Sequence, residues 1–169
     1  YGRPLGGLLW GGILRVTMVH HFTFFINSLC HYMGKRDYDI HTSAKDSWFM
    51  ALFTFGEGYH NYHHKFEWDY RNGIKWYNFD PSKWIIRFLS FFNITYSLKK
   101  ASDYNIFKAK IDTIVEKINL LSDKNLDKDY LSKASIIIES AFRNLSILKK
   151  LEAKYRDINK GSFLKKEYK

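Results

Sequence analysis

Three of the seven histidines in this chain, His60, His63 and His64, fall inside the stretch Gly56-Glu57-Gly58-Tyr59-His60-Asn61-Tyr62-His63-His64. On a helix, offsets of three and four residues bring side chains to one face, a turn apart. Imidazole is the commonest protein metal ligand, and a purely nitrogenous cluster suits iron, copper, nickel or zinc rather than calcium or magnesium. Three neutral ligands leave an octahedral metal unfilled, so other segments must contribute. The nearest candidate is His31, with Asn27 about one helical turn before it.

These residues need elements to hold them. Leu5 to about Met33 is apolar except for Arg15, His20, His21, Asn27 and His31. At ~1.5 Å per residue that length predicts a helix able to cross a bilayer core of ~30 Å. The glycine pairs at 6–7 and 11–12 suit close packing against another membrane helix. Polar groups at membrane depth face a bundle interior, and His20, Phe24, Asn27 and His31 form one stripe at 4-3-4 spacing. From His20 to His31 is roughly 16 Å of helix rise, too far to share a metal. His20 and His21 therefore read as packed polar groups, Arg15 as a snorkelling or paired cation, and Cys30 as a small buried apolar residue. The Lys35-Arg36 end is placed in the cytoplasm by the positive-inside rule, which puts the histidine cluster on that side.

Residues 34–47 read as a polar loop, with His41 a surface residue. Trp48 to Phe55 is too short to span and is expected as a buried or interfacial helix leading into the histidines. Lys65 to Pro81 is turn-rich, with Arg71-Asn72-Gly73 as a turn signal. Trp84 to Ile94 has the amphipathic pattern of an interfacial helix; a helix packed on a cytoplasmic core fits the pattern equally.

Composition divides the chain near Lys100. Residues 1–100 hold all five Trp, both Pro and 24 of the 31 aromatics, while residues 101–169 hold 15 of the 27 Lys and Arg. The net charge of +10, beside a long apolar run, points to the cytoplasmic face of a membrane and not to nucleic acid. One cysteine excludes an internal disulfide. The first residue is Tyr1, so the chain reads as a fragment, and no cleavage pattern of a signal peptide closes the apolar run. In the tail, Phe107, Ile111, Ile114, Ile118 and Leu121, then Ile137, Ser140 or Ala141, Leu145, Leu148 and Leu151, make heptad-like stripes. They predict a helical hairpin or short coiled coil broken at 123–129, with Asp127 as N-cap of the second helix and a frayed basic end from Asn159. The expected fold is all-α: one transmembrane helix, cytoplasmic or interfacial helices carrying the histidine box, and this helical tail.

The glycine-framed histidine box, preceded by Asn27-Ser28-Leu29-Cys30-His31 and followed by Phe66-Glu67-Trp68-Asp69-Tyr70, resembles the C-terminal part of the membrane acyl-CoA delta-9 desaturases, the stearoyl-CoA desaturase family. The match runs from about Ile13 to about Leu98 and leaves 101–169 outside it. The flanks Lys45-Asp46-Ser47 and Asp80-Pro81-Ser82-Lys83-Trp84 look most like the bacterial branch. The resemblance implies an integral membrane enzyme of the bacterial inner membrane or the endoplasmic reticulum. It would hold two irons through nine histidines and insert a cis double bond into an acyl-CoA or acyl-lipid chain. O2 is consumed, and a separate cytochrome b5, ferredoxin or rubredoxin supplies electrons.

Carried over by position, His60, His63 and His64 match the third histidine box and His31 the lone helix histidine. Asn27 matches the residue that holds a metal-bound water. Phe24 matches a channel-lining position where the family usually has Trp. Four of nine ligands are then present, and the chain by itself is expected to be catalytically incomplete. The tail has no histidine, so it is no haem-binding electron donor. A ligating imidazole usually gives its other N–H to a fixed acceptor, a role open to Glu57 and Asn61; a capping or surface carboxylate fits Glu57 equally well. Gly56 and Gly58 suggest close backbone approach. Two rival readings stand beside the enzyme: a catalytically inactive membrane-anchored piece that acts as an interaction module through its tail, and a mononuclear zinc site of His60, His63 and His64.

Overall fold

The computed structural model describes residues 2–122 and 128–167, and the chain divides into two compact units, Tyr1–Ala101 and Ser102–Lys169. Every regular element among the described residues is helical. Extended pairing is limited to isolated bridges from Lys35 to Asp46 and from Asp46 to Tyr59.

The first unit opens with α1 (Pro4–Gly7), a π-helical stretch (Leu8–Leu14) and α2 (Arg15–Tyr32). Pro4 sits at the start of α1, where its missing N–H costs nothing. Glycines 6, 7, 11 and 12 weaken the α-helical preference where the wider winding occurs. No helix among the described residues is long and apolar enough to cross a membrane, which corrects the single spanning helix expected over Leu5–Met33. The π-helical stretch interrupts the run, and the 18 residues of α2 include Arg15, Thr17, His20, His21, Thr23, Asn27, Ser28 and His31. Several of these turn back onto their own helix: His21 Nδ1 lies 2.8 Å from Thr17 O, and the Thr23 and Ser28 hydroxyls donate to Val19 O and Phe24 O at 2.9 Å.

After α2 the backbone extends at Met33 and crosses back as a strap, residues 33–47. Lys35 and Asp46 exchange backbone hydrogen bonds at 3.0 and 2.7 Å, and Lys45 N donates to Cys30 O at 2.7 Å. Helix α3 (Trp48–Phe53) starts at Ser47, whose hydroxyl accepts from Met50 N, and packs on α2 through a Phe22–Phe53 ring stack at 5.7 Å. Helix α4 (His60–Lys65) follows a turn, and α5 (Pro81–Ser90) is capped by Asp80, which accepts from Lys83 N at 3.0 Å. Cys30, Ala44, Met50, Ala51, Tyr62 and Phe66 are buried together with Asn61 and Asp80. Helix α5 buries Lys83 and leaves Trp84, Ile85 and Phe88 exposed, the reverse of a helix packed on a core. His41 is exposed, as its loop position predicts.

In the second unit α6 (Asp103–Ser122) packs on α7 (Lys128–Glu167). The inward residues of α6 are Ile106, Ala109 and Thr113, one step round from the expected Phe107-Ile111-Ile114 stripe. On α7 they are Ile138, Ala141, Leu145 and Leu148, while Ile137 and Leu151 stay exposed. Size accounts for the shift: alanine and threonine let the helices approach, and the larger Phe107 and Ile111 flank the contact. Of the break expected at 123–129, residues 123–127, with the Asp127 cap, lie outside the described residues, and Lys128 and Asp129 already belong to α7; the side chains from Asn159 onward also lie outside them.

Candidate metal centre

Two segments 29 positions apart supply the histidines. His31 lies in the last turn of α2, and His60, His63 and His64 lie on α4. The helix begins at His60 itself because Asp46 Oδ1 accepts from Tyr62 N at 3.0 Å, satisfying one of the free N–H groups of the first turn. Gly56 has φ +103°, a left-handed value open to glycine, and a Cβ there would press on the Asp80 carboxylate. A Cβ at Gly58 would overlap Ala51 N, so α3 can seat against the box only because Gly58 has none. The close approach expected at both glycines is met by α3 and by Asp80.

Asp80 fastens the far side. Wholly buried, it accepts from Asn72 N at 2.8 Å, Gly73 N at 2.9 Å and Lys83 N. The Lys83 ammonium, also buried, donates to Gly73 O, Lys75 O and Asn78 O. Burial, with a smaller push from the Arg71 charge, lowers its pKa, and nearby Asp80 opposes the shift. A second clamp centres on Asp69, which accepts from the Tyr62 hydroxyl at 2.6 Å, from Arg71 through Nε and Nη2, and from Ala101 N at 2.8 Å. Burial pushes the Asp69 carboxyl upward, and the donors from Arg71, Tyr62 and Ala101 more than offset it, holding the group below the usual carboxylate range.

Within this frame His31, His60 and His64 converge: one ring nitrogen from each lies within 4.8 Å of the others. His60 Nε2 and His64 Nε2 are 3.2 Å apart, and the His31 ring centroid stands 5.0 Å from that of His60 at 76°. Burial, followed by the neighbouring His64, His31 and His63, pushes the His60 imidazole down to about 4. It is therefore neutral near pH 7, the form that ligates metals. Its Nδ1 is buried with no hydrogen-bond partner, an orphan that needs an explanation. Two nitrogens sharing one ion at ~2.1 Å lie about 3.0–3.4 Å apart, so the His60–His64 pair already has metal-sharing separation. Three imidazole nitrogens are a donor set that suits a late first-row metal.

His63 stands outside this group. Its ring lies 6.3 Å from that of His60 and 6.1 Å from that of His64, because three residues of helix turn it partly away. Asn27 is exposed one turn before His31, and Phe24 is exposed with its ring 6.3 Å from His20.

The two expected imidazole acceptors do other work. Glu57 accepts from Asn72 Nδ2 at 2.9 Å, which ties the box to the Asp80 turn. Asn61, fully buried, accepts from Tyr38 N and Asp39 N and donates to Asp39 O and Ala44 O. Its amide has no capacity left for a ring N–H; it holds the strap. The residue that does meet an imidazole is Ser43, whose Oγ lies 2.8 Å from His31 Nδ1. No local pattern marked it, since it sits 12 residues away in a polar loop.

A family model described as fatty acid desaturase matches residues 1–97. Acyl-CoA desaturase 1 of Saccharomyces cerevisiae is 48% identical over 115 residues, 68% of this chain and 22% of the yeast protein. A probable acyl-CoA desaturase of Schizosaccharomyces pombe is 44% identical over 108 residues, covering 64% and 22%, and delta-9 acyl-lipid desaturase 1 of Arabidopsis thaliana is 39% identical over 103, covering 61% and 34%. The chain thus spans about a fifth of each yeast relative. The likeness to the Saccharomyces protein is longer than the first unit, so it runs on into the second.

Proposed function

Because the chain belongs to the fatty acid desaturase family, we propose that it is the C-terminal part of an oxidoreductase that inserts a cis double bond into a saturated acyl chain. The position is near carbon nine of an acyl-CoA. Two hydrogens leave adjacent carbons, a separate donor of the cytochrome b5, ferredoxin or rubredoxin type supplies two electrons, and O2 is reduced to two waters. The observation that carries this reading is the convergence of His31 with His60 and His64 from two distant segments.

Iron together with O2 supplies an oxidant strong enough for an unactivated alkyl chain, which side chains alone do not. His31, His60, His63 and His64 would hold the metal, with Asn27 orienting a water. The remaining ligands of a two-iron centre belong to further parts of the complete protein, and residues 1–169 alone are inactive. Residues 1–100 form the desaturase part and 101–169 a helical tail. The run from Leu5 to Met33 beds in the membrane against other helices, which accords with the exposure of Leu5, Trp10, Val19 and Phe24. Phe24 lines the acyl channel, and the histidines lie on the cytoplasmic side.

The test is iron content and desaturation by the complete protein. His60→Ala is expected to lose iron and to fall below detectable turnover, and His63→Ala to lose most of both. Full iron and full turnover in both variants would overturn the reading, and iron-free protein holding zinc would favour the mononuclear site.

A second reading, an interaction module built on the second unit, draws on the apolar groove of ~310 Å³ lined by Phe107, Ile111, Ala141, Leu145 and Leu148. A 101–169 peptide that is monomeric and unfolded by circular dichroism would remove it.

A further inference from the structure

We infer that Ser43 is the positioning residue for His31: its hydroxyl accepts a hydrogen bond from Nδ1–H and so leaves Nε2 as the open lone pair of that imidazole. The inference rests on the reading of His31 as a metal ligand. A neutral imidazole carries one N–H, and the hydrogen bond made by one nitrogen decides which nitrogen stays free. In His31 that bond is Nδ1 to Ser43 Oγ, 2.8 Å. The ring it orients stands nearly perpendicular to both His60 and His64, with centroids at 5.0 and 6.2 Å.

Ser43 is not placed by its own loop alone. The residue after it, Ala44, is wholly buried, and its carbonyl accepts from Asn61 Nδ2 at 3.0 Å. The next, Lys45, donates its N–H to Cys30 O at 2.7 Å, and its ammonium reaches Tyr32 O. Asn61 directly follows His60 in the chain, and Cys30 and Tyr32 flank His31. The hydroxyl is therefore suspended between the immediate neighbours of two of the three convergent histidines. This gives Asn61 its part in the site: it acts on His31 through the strap and Ser43, without touching an imidazole.

A hydroxyl differs here from a carboxylate. It accepts a hydrogen bond from the ring N–H without adding a charge to the site. Loss of such a partner typically weakens metal affinity by 10–100-fold.

The experiment uses the complete, iron-loaded protein and reads the rate at which a ferrous chelator strips the metal, together with iron per chain before chelation. Ser43→Thr keeps the hydroxyl and Ser43→Val has the same shape without it, so the pair separates hydrogen bonding from packing. Ser43→Val is expected to release its most labile iron about 10–100-fold faster than the unaltered protein, and Ser43→Thr to release it at the unaltered rate. Equal rates in Ser43→Val and the unaltered protein would overturn the inference, and so would equally fast release from Val and Thr. His31→Ala is the separate control. Unaltered iron content and release in that variant would mean that His31 is no ligand, and the functional reading would fall at that residue for its own reason.

Discussion

The two units hold themselves together in different ways. Around the histidines, buried polar side chains clasp backbone: Asp80 takes three N–H groups, Asp69 takes Tyr62, Arg71 and Ala101, and Asn61 uses its whole amide on the strap. In the second unit two helices meet through small and aliphatic side chains, and i,i+4 ion pairs there, such as Lys133–Asp129, are exposed. A side-chain seam tolerates sliding and repacking; a clasp on a backbone atom fixes one position. The first arrangement suits a site whose donors must be placed to a fraction of an ångström.

That contrast can be broken by substitution. The largest effect is expected from Asp80→Ala, which strands three buried N–H groups, those of Asn72, Gly73 and Lys83. Removing one partner of such a network costs about 3–5 kcal/mol, enough to abolish metal binding in the complete protein. Gly58→Ala should come next, since the added methyl meets the backbone of Ala51 rather than a movable side chain; loss of the α3–α4 packing is read by metal content and by proteolysis of residues 48–66. Leu145→Ala, in the helix seam, should cost about 2–3 kcal/mol in a local melting transition and leave metal content unchanged. Equal metal loss in Leu145→Ala and Asp80→Ala would erase the distinction between the units. Smallest is Lys133→Ala, where an exposed i,i+4 pair contributes below ~0.5 kcal/mol.

Acid sharpens the same comparison. The Asp69 carboxyl is held below its usual range in the folded unit, so its stabilisation is present above the unfolded value of about 4 and disappears as pH falls through the lower folded value. Acid unfolding of the first unit is expected to begin below about pH 4, and Asp69→Asn should be less stable at neutral pH with a flatter acid limb. An unchanged acid limb in that variant would show that Asp69 is not the controlling group.

Much of the site was legible in local spacing. His60 and His64 lie one helical turn apart and do face one another, and His31 was the candidate partner. The offset of three also placed His63 on that face, yet in a six-residue helix it turns away from the close group. Periodicity also found the two tail helices and placed Ala141, Leu145 and Leu148 of α7 in the seam, but on α6 it chose the neighbouring edge, because it weighs apolarity, whereas close helix approach selects for small residues such as Ala109 and Thr113. The apolar run to Met33 was legible as helix, but its length said nothing of the π-helical interruption. Least legible were Ser43, Asn61 and Asp80. Each acts on backbone atoms or a ring brought near by tertiary folding, and a single sequence carries no periodic mark of such contacts.

The strap has a further consequence, seen in the entropy of the chain. His31 and His60 close a loop of 29 residues, and in a flexible chain bringing such ends together costs roughly 3 kcal/mol, with (3/2)RT ln n. Here the closure is complete in the fold itself, through Lys45 N to Cys30 O on the side of His31 and Ser47 N to Gly58 O on the side of His60. A ligand arriving at these imidazoles finds a chelating pair already tethered at high effective concentration, and its binding energy need not be spent on gathering the chain.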